Sequence, residues 1–226
     1  WEEASSGKRT SPRTIAVAGI APRCGCTTFA MALASSIAIA GKSASIVMNE
    51  ADHRLISTAF RGAPNEQGAV RFRPASGRKG CVDVYPIIQL APIIHSADRN
   101  PFVIFDLGTA PVDVLLDRNG SKAREAFYTR WATASDRVLV TGSGARDLFT
   151  LGKAVSAMRQ RGVSADVFAN LCPDSMLKTL RDGFSEVPGI TFAGMDAVMG
   201  PLFLTEAPTF LKDWAADRGI KLKGRA

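Results

Sequence analysis

The chain of 226 residues is 46% apolar and 22% charged, with a formal charge of +7. This composition suits a folded globular chain with a substantial core and excludes a disordered or low-complexity one. No apolar run is long enough to span a bilayer, and Trp1-Glu-Glu does not begin a secretory leader.

Residues 1–13 are polar and basic and read as a flexible lead-in; residues 14–226 read as one domain. A chain that starts at Trp1 and not at Met is expected to have lost an upstream region. Thr14–Ala18 is a short buried strand, followed by a glycine-bearing turn and a helix over Phe29–Ala40, stopped by Gly41. Ala44–Met48 is a second strand reached after one helix, so the unit is βαβ and parallel. Asn49-Glu-Ala-Asp-His follows at its C-terminal end, where open α/β sheets place ligands. Arg61–Gly80 is a loop with a short strand near Ala69–Phe72, and Val82–Tyr85 is another short strand. Ile87–Ser96 has helical character interrupted by Pro92. Residues 101–108 (PFVIFDLG) form a buried strand with Asp106 at its tip. Helix Lys122–Ala134, strand Arg137–Thr141, helix Ala145–Arg161 and strand Asp166–Ala169 follow. Helix Ser175–Phe184, strand Ile190–Phe192 and helix Pro208–Arg218 complete the order. The alternation predicts an α/β fold with a doubly wound, mostly parallel sheet and helices on both faces.

Within this frame, Thr14 to Thr28 (TIAVAGIAPRCGCTT) has the layout strand, Gly-containing loop, Thr-Thr, helix. Such a loop aims backbone N–H groups and a helix N-terminus at a phosphate. The ordinary motif places a lysine where this chain has Cys26. A cysteine at a helix N-terminus is expected to have a lowered pKa and raised reactivity. Cys24-x-Cys26 also reads as half of a metal or redox site, but Cys81, Cys172, His53 and His95 are too scattered to complete it. The four cysteines lack framework spacing, which suits a reducing, cytoplasmic compartment. His53 reads as a surface residue and His95 as a helix-end residue. The aromatic helix at the C-terminus, with Phe210, Leu211 and Trp214, reads as packed on the sheet, with a peripheral membrane contact as the other reading.

The order of these features resembles the MinD/ParA group of P-loop ATPases, whose signature is K-G-G-x-G-K-T-T. Laid on it without gaps, the chain reads Ala21, Pro22, Arg23, Cys24, Gly25, Cys26, Thr27, Thr28. The signature lysine falls on Ala21 and the phosphate-binding lysine on Cys26. The family's Asp-x-Asp falls on Met48 and Glu50. Phe102–Gly108 resembles the Walker B strand, and Asn170–Pro173 resembles the family's N-x-x-P segment. The chain is most similar to divergent members that accompany pilus-assembly and secretion systems. The resemblance implies ATP or ADP with Mg²⁺, cradled by Arg23, Cys24, Gly25, Cys26, Thr27 and Thr28, with Asn170 and Pro173 at the base. Thr27 and Asp106 then serve the metal, and Asp106 and Glu50 are the catalytic acids. With Cys26 in the lysine's place, hydrolysis is expected to be absent or very slow.

The implied role is a positioning or regulatory protein of a pilus, secretion or partition assembly. It would act through protein partners and a homodimer in the cytoplasm, recruited to the inner membrane face or a cell pole. The alternative is a genuine slow ATPase of the partition type, with ATP-dependent dimerisation and DNA binding. A third reading takes the arginines from Arg61 to Arg78 as a nucleic-acid surface; the dispersed positive charge argues against it.

Overall fold

The computed structural model describes residues 11–60, 68–73, 80–87, 100–109, 122–198, 201 and 204–222. Among the described residues eight strands form one sheet: β1 (Arg13–Gly19), β2 (Ala44–Met48), β3 (Val70–Phe72), β4 (Val82–Pro86), β5 (Phe102–Thr109), β6 (Asp136–Thr141), β7 (Ala165–Asn170) and β8 (Ile190–Met195). Their order is β3-β4-β2-β5-β1-β6-β7-β8. Every pairing is parallel except the short edge strand β3, which runs against β4. The described helices are α1 (Cys26–Ile39), α2 (Glu50–Phe60), α3 (Lys122–Thr133), α4 (Ala145–Gln160), α5 (Asp174–Phe184) and α6 (Thr209–Asp217).

Central strands are covered on both faces, which is why they read as apolar runs and not as alternation. Along β1, Ile15 and Val17 face one core with Phe29, Leu33 and Ile37 of α1 and Phe210, Leu211 and Trp214 of α6. Ala16 and Ala18 face a second core with Leu139, Leu151, Val155 and Trp131. Helix α1 is built largely from small residues and is buried along most of its length, so it lies directly on the sheet. Its Phe29 ring meets Phe168 at 4.8 Å and stands edge-on to Trp214 at 6.1 Å.

The aromatic face of α6 is therefore core, as the packed reading expected. The helix is also latched by charge. Trp214 Nε1 donates to Asp166 at 3.0 Å, Arg218 pairs with Asp166 and Asp136, and Arg13 Nε reaches Asp136 at 2.6 Å. No helix among the described residues is long and apolar enough to cross a membrane.

Three expectations need correction. The first helix begins at Cys26, a turn before Phe29, so Thr27 and Thr28 lie inside it. Glu50–Phe60, for which no element was expected, is helix α2. His53 is buried at 7% exposure and is not a surface residue; burial pushes its pKa down. The interrupted segment around Pro92, with His95, lies outside the described residues. Of the arginines between Arg61 and Arg78, Arg71 is committed to a two-point ion pair with Asp83 (2.6 and 2.9 Å).

Candidate phosphate-binding site

The sheet order puts β5 between β1 and β2, so the loop that leaves β1 faces the ends of β2 and β5. A cleft of about 510 Å³ opens there. It is lined by loop residues 21–28, by Asn49 and Asp52 at the β2–α2 junction, and by Gly108 and Thr109 at the end of β5. This is the carboxyl end of a parallel sheet, the place where such folds bind ligands.

The loop ends on Gly25, which precedes α1 at φ +101° with no side chain capping the helix. Only glycine holds that conformation without strain. The first amides of α1 have no carbonyl one turn earlier to bond, so the partial positive end of the helix is left for a ligand. A Cβ on Gly25 would lie 2.7 Å from Asn170 Nδ2, so the Asn170 side chain rests against the loop's hinge. Arg23, itself at φ +63°, is exposed and is the one cation lining the cleft among the described residues. The Thr109 hydroxyl donates to the Ala21 carbonyl at 3.3 Å and ties β5 to the loop.

Cys26 departs from what its position suggested. Its thiol turns inward, beneath the loop, where its single S–H is shared between the Val17 carbonyl at 3.4 Å and Asp106 Oδ1 at 3.2 Å. Burial, and then the neighbouring Asp106 charge, push the thiol well above its ordinary value. The expected reactive thiolate is therefore overturned: desolvation and a carboxylate outweigh the helix terminus. Cys24 is buried too, against Gly19, where a Cβ would sit 2.5 Å from its sulfur. Burial also raises its thiol.

Asp106 is 1% exposed. Its Oδ1 accepts from the Gly108 N–H at 3.0 Å as well as from Cys26, while Oδ2 is buried without a hydrogen-bond partner. Burial raises its pKa, opposed by the nearby Thr27 hydroxyl, the Cys26 thiol and the Gly108 amide. An unpartnered buried carboxylate oxygen is costly, and a cation or its water is the kind of partner it lacks. No group of three His, Cys, Asp or Glu among the described residues is placed to hold a metal by itself.

The structure thus brings Arg23, Cys24, Gly25, Cys26, Thr27 and Thr28 together with Asp106, and sets Asn170 beside the loop. Glu50 sits in the first turn of α2, half-exposed and paired with Arg54 one turn on, and does not line the cleft. Asp52, not Glu50, reaches the cleft. Pro173 precedes α5, where its carbonyl accepts from Leu177. The sequence did carry a signal for α2 and Asp52. Asn49 and Asp52 form a capping pair, with the Asp52 N–H donating to Asn49 Oδ1 at 2.9 Å.

No protein-family model matches the chain, and no curated protein sequence matches it. Solved structures do. The MinD cell division protein of Aquifex aeolicus superposes with a TM-score of 0.59 at 13% identity, over 95% of this chain and 100% of that one. A ParA family ATPase from Chlorobium tepidum TLS gives 0.57 at 14% identity, over 91% and 99%. The chain has the MinD/ParA fold. A Borrelia burgdorferi B31 protein assigned to plasmid partition, solved with AMPPNP bound, gives 0.57 at 11% identity, over 93% and 98%. These superpositions show the shared MinD/ParA fold: among the described residues, an eight-stranded, mostly parallel sheet with helices on both faces.

Proposed function

We propose that this chain is a nucleotide-binding domain that retains phosphate grip and has given up efficient hydrolysis. One observation carries the reading: the side chain in the lysine's position is a neutral thiol bonded downward to Asp106. The bare helix start, the left-handed Gly25 and Arg23 at the rim support binding of ATP or ADP phosphates. Support also comes from the AMPPNP held by the Borrelia protein of the same fold. Thr27 and the unpartnered oxygen of Asp106 fit the environment of a Mg²⁺ ion or its water. Mg²⁺, when bound, neutralises phosphate charge.

The residues of the chain do the rest. Backbone amides of the loop hold the phosphates, and Arg23 supplies the one fixed positive charge among the described residues that line the cleft. Nothing in the loop delivers a lysine ammonium to the oxygens where transition-state charge builds up. Loss of one such preorganised donor costs on the order of 10²–10³ in rate. We assign the domain a positioning or regulatory role in a larger assembly of the pilus, secretion or partition kind, exercised through protein partners and a nucleotide-biased homodimer.

The test pairs turnover with oligomeric state. Labelled MgATP incubated with the chain should bind, shift the sedimentation profile and remain uncleaved over hours. Steady release of phosphate that disappears in Asp106→Ala would favour the partition-type ATPase.

A further inference from the structure

At the far edge of the sheet, β8 pairs with β7 alone among the described strands. In a parallel pair each residue turns its N–H and C=O to the same side, and neighbours alternate. The Ala165 N–H donates to the Gly189 carbonyl at 3.1 Å and the Leu171 N–H to the Met195 carbonyl at 3.0 Å. Odd-numbered residues therefore face β7, and Ile190, Phe192 and Gly194 face outward. The Phe192 carbonyl agrees, since it accepts from Arg181 Nε at 3.1 Å from outside. The Phe192 and Gly194 amides are left without acceptors among the described residues.

This edge is the floor of a groove of about 500 Å³. Helix α5 contributes Leu177 to one wall, and α6 contributes Phe210 and Trp214 to the other. Six residues of β8 span about 20 Å, the length of an extended segment of five or six residues. The rim carries Asp174, Asp196, Asp213 and Asp217, all exposed and without an ion pair among the described residues. Two arginines also line it. Arg218 is neutralised by Asp136 and Asp166, and Arg181 lies against the strand. The groove is thus locally acidic on a chain of net charge +7.

We propose that the outer edge of β8 docks an extended, basic segment of a protein partner, which joins the sheet as one more strand. Main-chain bonds to Phe192 and Gly194 supply the grip, and the aspartate rim selects lysine or arginine. Arg181 guards the edge until the segment displaces it. Charge argues against a second copy of this chain, because edge-to-edge pairing would bring the same four aspartates together.

The test uses the whole chain and two probes, acetyl-KVKVKV-amide and acetyl-EVEVEV-amide, at low salt. The lysine peptide should bind saturably and the glutamate peptide should not. Binding should weaken about tenfold in the Asp213→Lys/Asp217→Lys double variant, whose two sites are exposed and leave the fold intact. Hydrogen exchange at the Phe192 and Gly194 amides should slow with the lysine peptide. Equal binding of both peptides, none of either, or binding without protection of those two amides overturns the proposal. So does protection that grows with protein concentration in the absence of peptide, which would assign the edge to a second copy.

Discussion

Replacing Cys26 with lysine is the most informative single change. In the present structure the thiol spans two buried acceptors, the Val17 carbonyl and Asp106 Oδ1. Lysine cannot keep its charge in that slot, so its chain should leave by the cleft above Thr27. Two opposite effects follow. The fold loses the one buried S–H bond shared by those acceptors and some packing, about 1–2 kcal/mol together. A bound phosphate gains a charge-assisted bond of about 1.5–3 kcal/mol, which tightens Kd roughly ten- to a hundredfold. An ammonium near Asp106 should also lower that carboxyl, opposing the burial that now raises it. The assay is calorimetric titration of Cys26→Lys with MgATP, beside a thermal melt of the ligand-free protein. A folded variant whose affinity for MgATP equals that of the parent would refute the reasoning, because the loop would then not be presenting phosphate to position 26.

Asp106→Asn tests the orphaned carboxylate. The raised pKa means that the folded chain holds the Asp106 proton more tightly than the unfolded chain, so stability is lost as pH rises from about 4 through the folded value. The asparagine variant should therefore gain stability relative to the parent as pH rises from acid to neutral, and that gain should vanish in acid; urea melts across that range check it. Gly25→Ala should cost about 1–3 kcal/mol, since alanine resists φ +101° and its methyl meets Asn170. Asn170→Ala should relieve the contact but leave the backbone strain, so it should restore only part of the loss, and both denaturation and nucleotide titration read the result. Trp214→Ala should cost about 3–5 kcal/mol by removing a buried ring and the bond to Asp166. A destabilisation below 1 kcal/mol in chemical denaturation would mean that α6 is not core.

The sheet was legible because buried parallel strands announce themselves as apolar runs between loops: β2 matches its expected bounds, and β6 and β7 differ only at their ends. The loop was legible too, through Gly25 and the threonine pair. Helix α2 was not, because its larger apolar residues do not share one buried stripe: Ile56 is buried, as is His53, while the neighbouring Leu55 is 70% exposed. Its start lay in the Asn49–Asp52 capping pair, a signal weaker than apolar periodicity. The direction of the Cys26 side chain could not be read from sequence. A lysine's flexible stem projects from the loop, whereas a short thiol is drawn to the nearest buried acceptors, and those come from β1 and β5, 9 and 80 residues away. The Asn170–Gly25 contact likewise joins chain segments that only the fold brings together.

The central claim is that the loop still holds phosphate without its lysine. Calorimetric titration of the parent chain with MgATP and MgADP, repeated on Thr27→Ala, tests it most directly. Saturable binding of both nucleotides that is lost in Thr27→Ala is the expected result. No binding heat at high protein concentration, with the chain fully folded, would contradict it and leave the loop as a cap on α1.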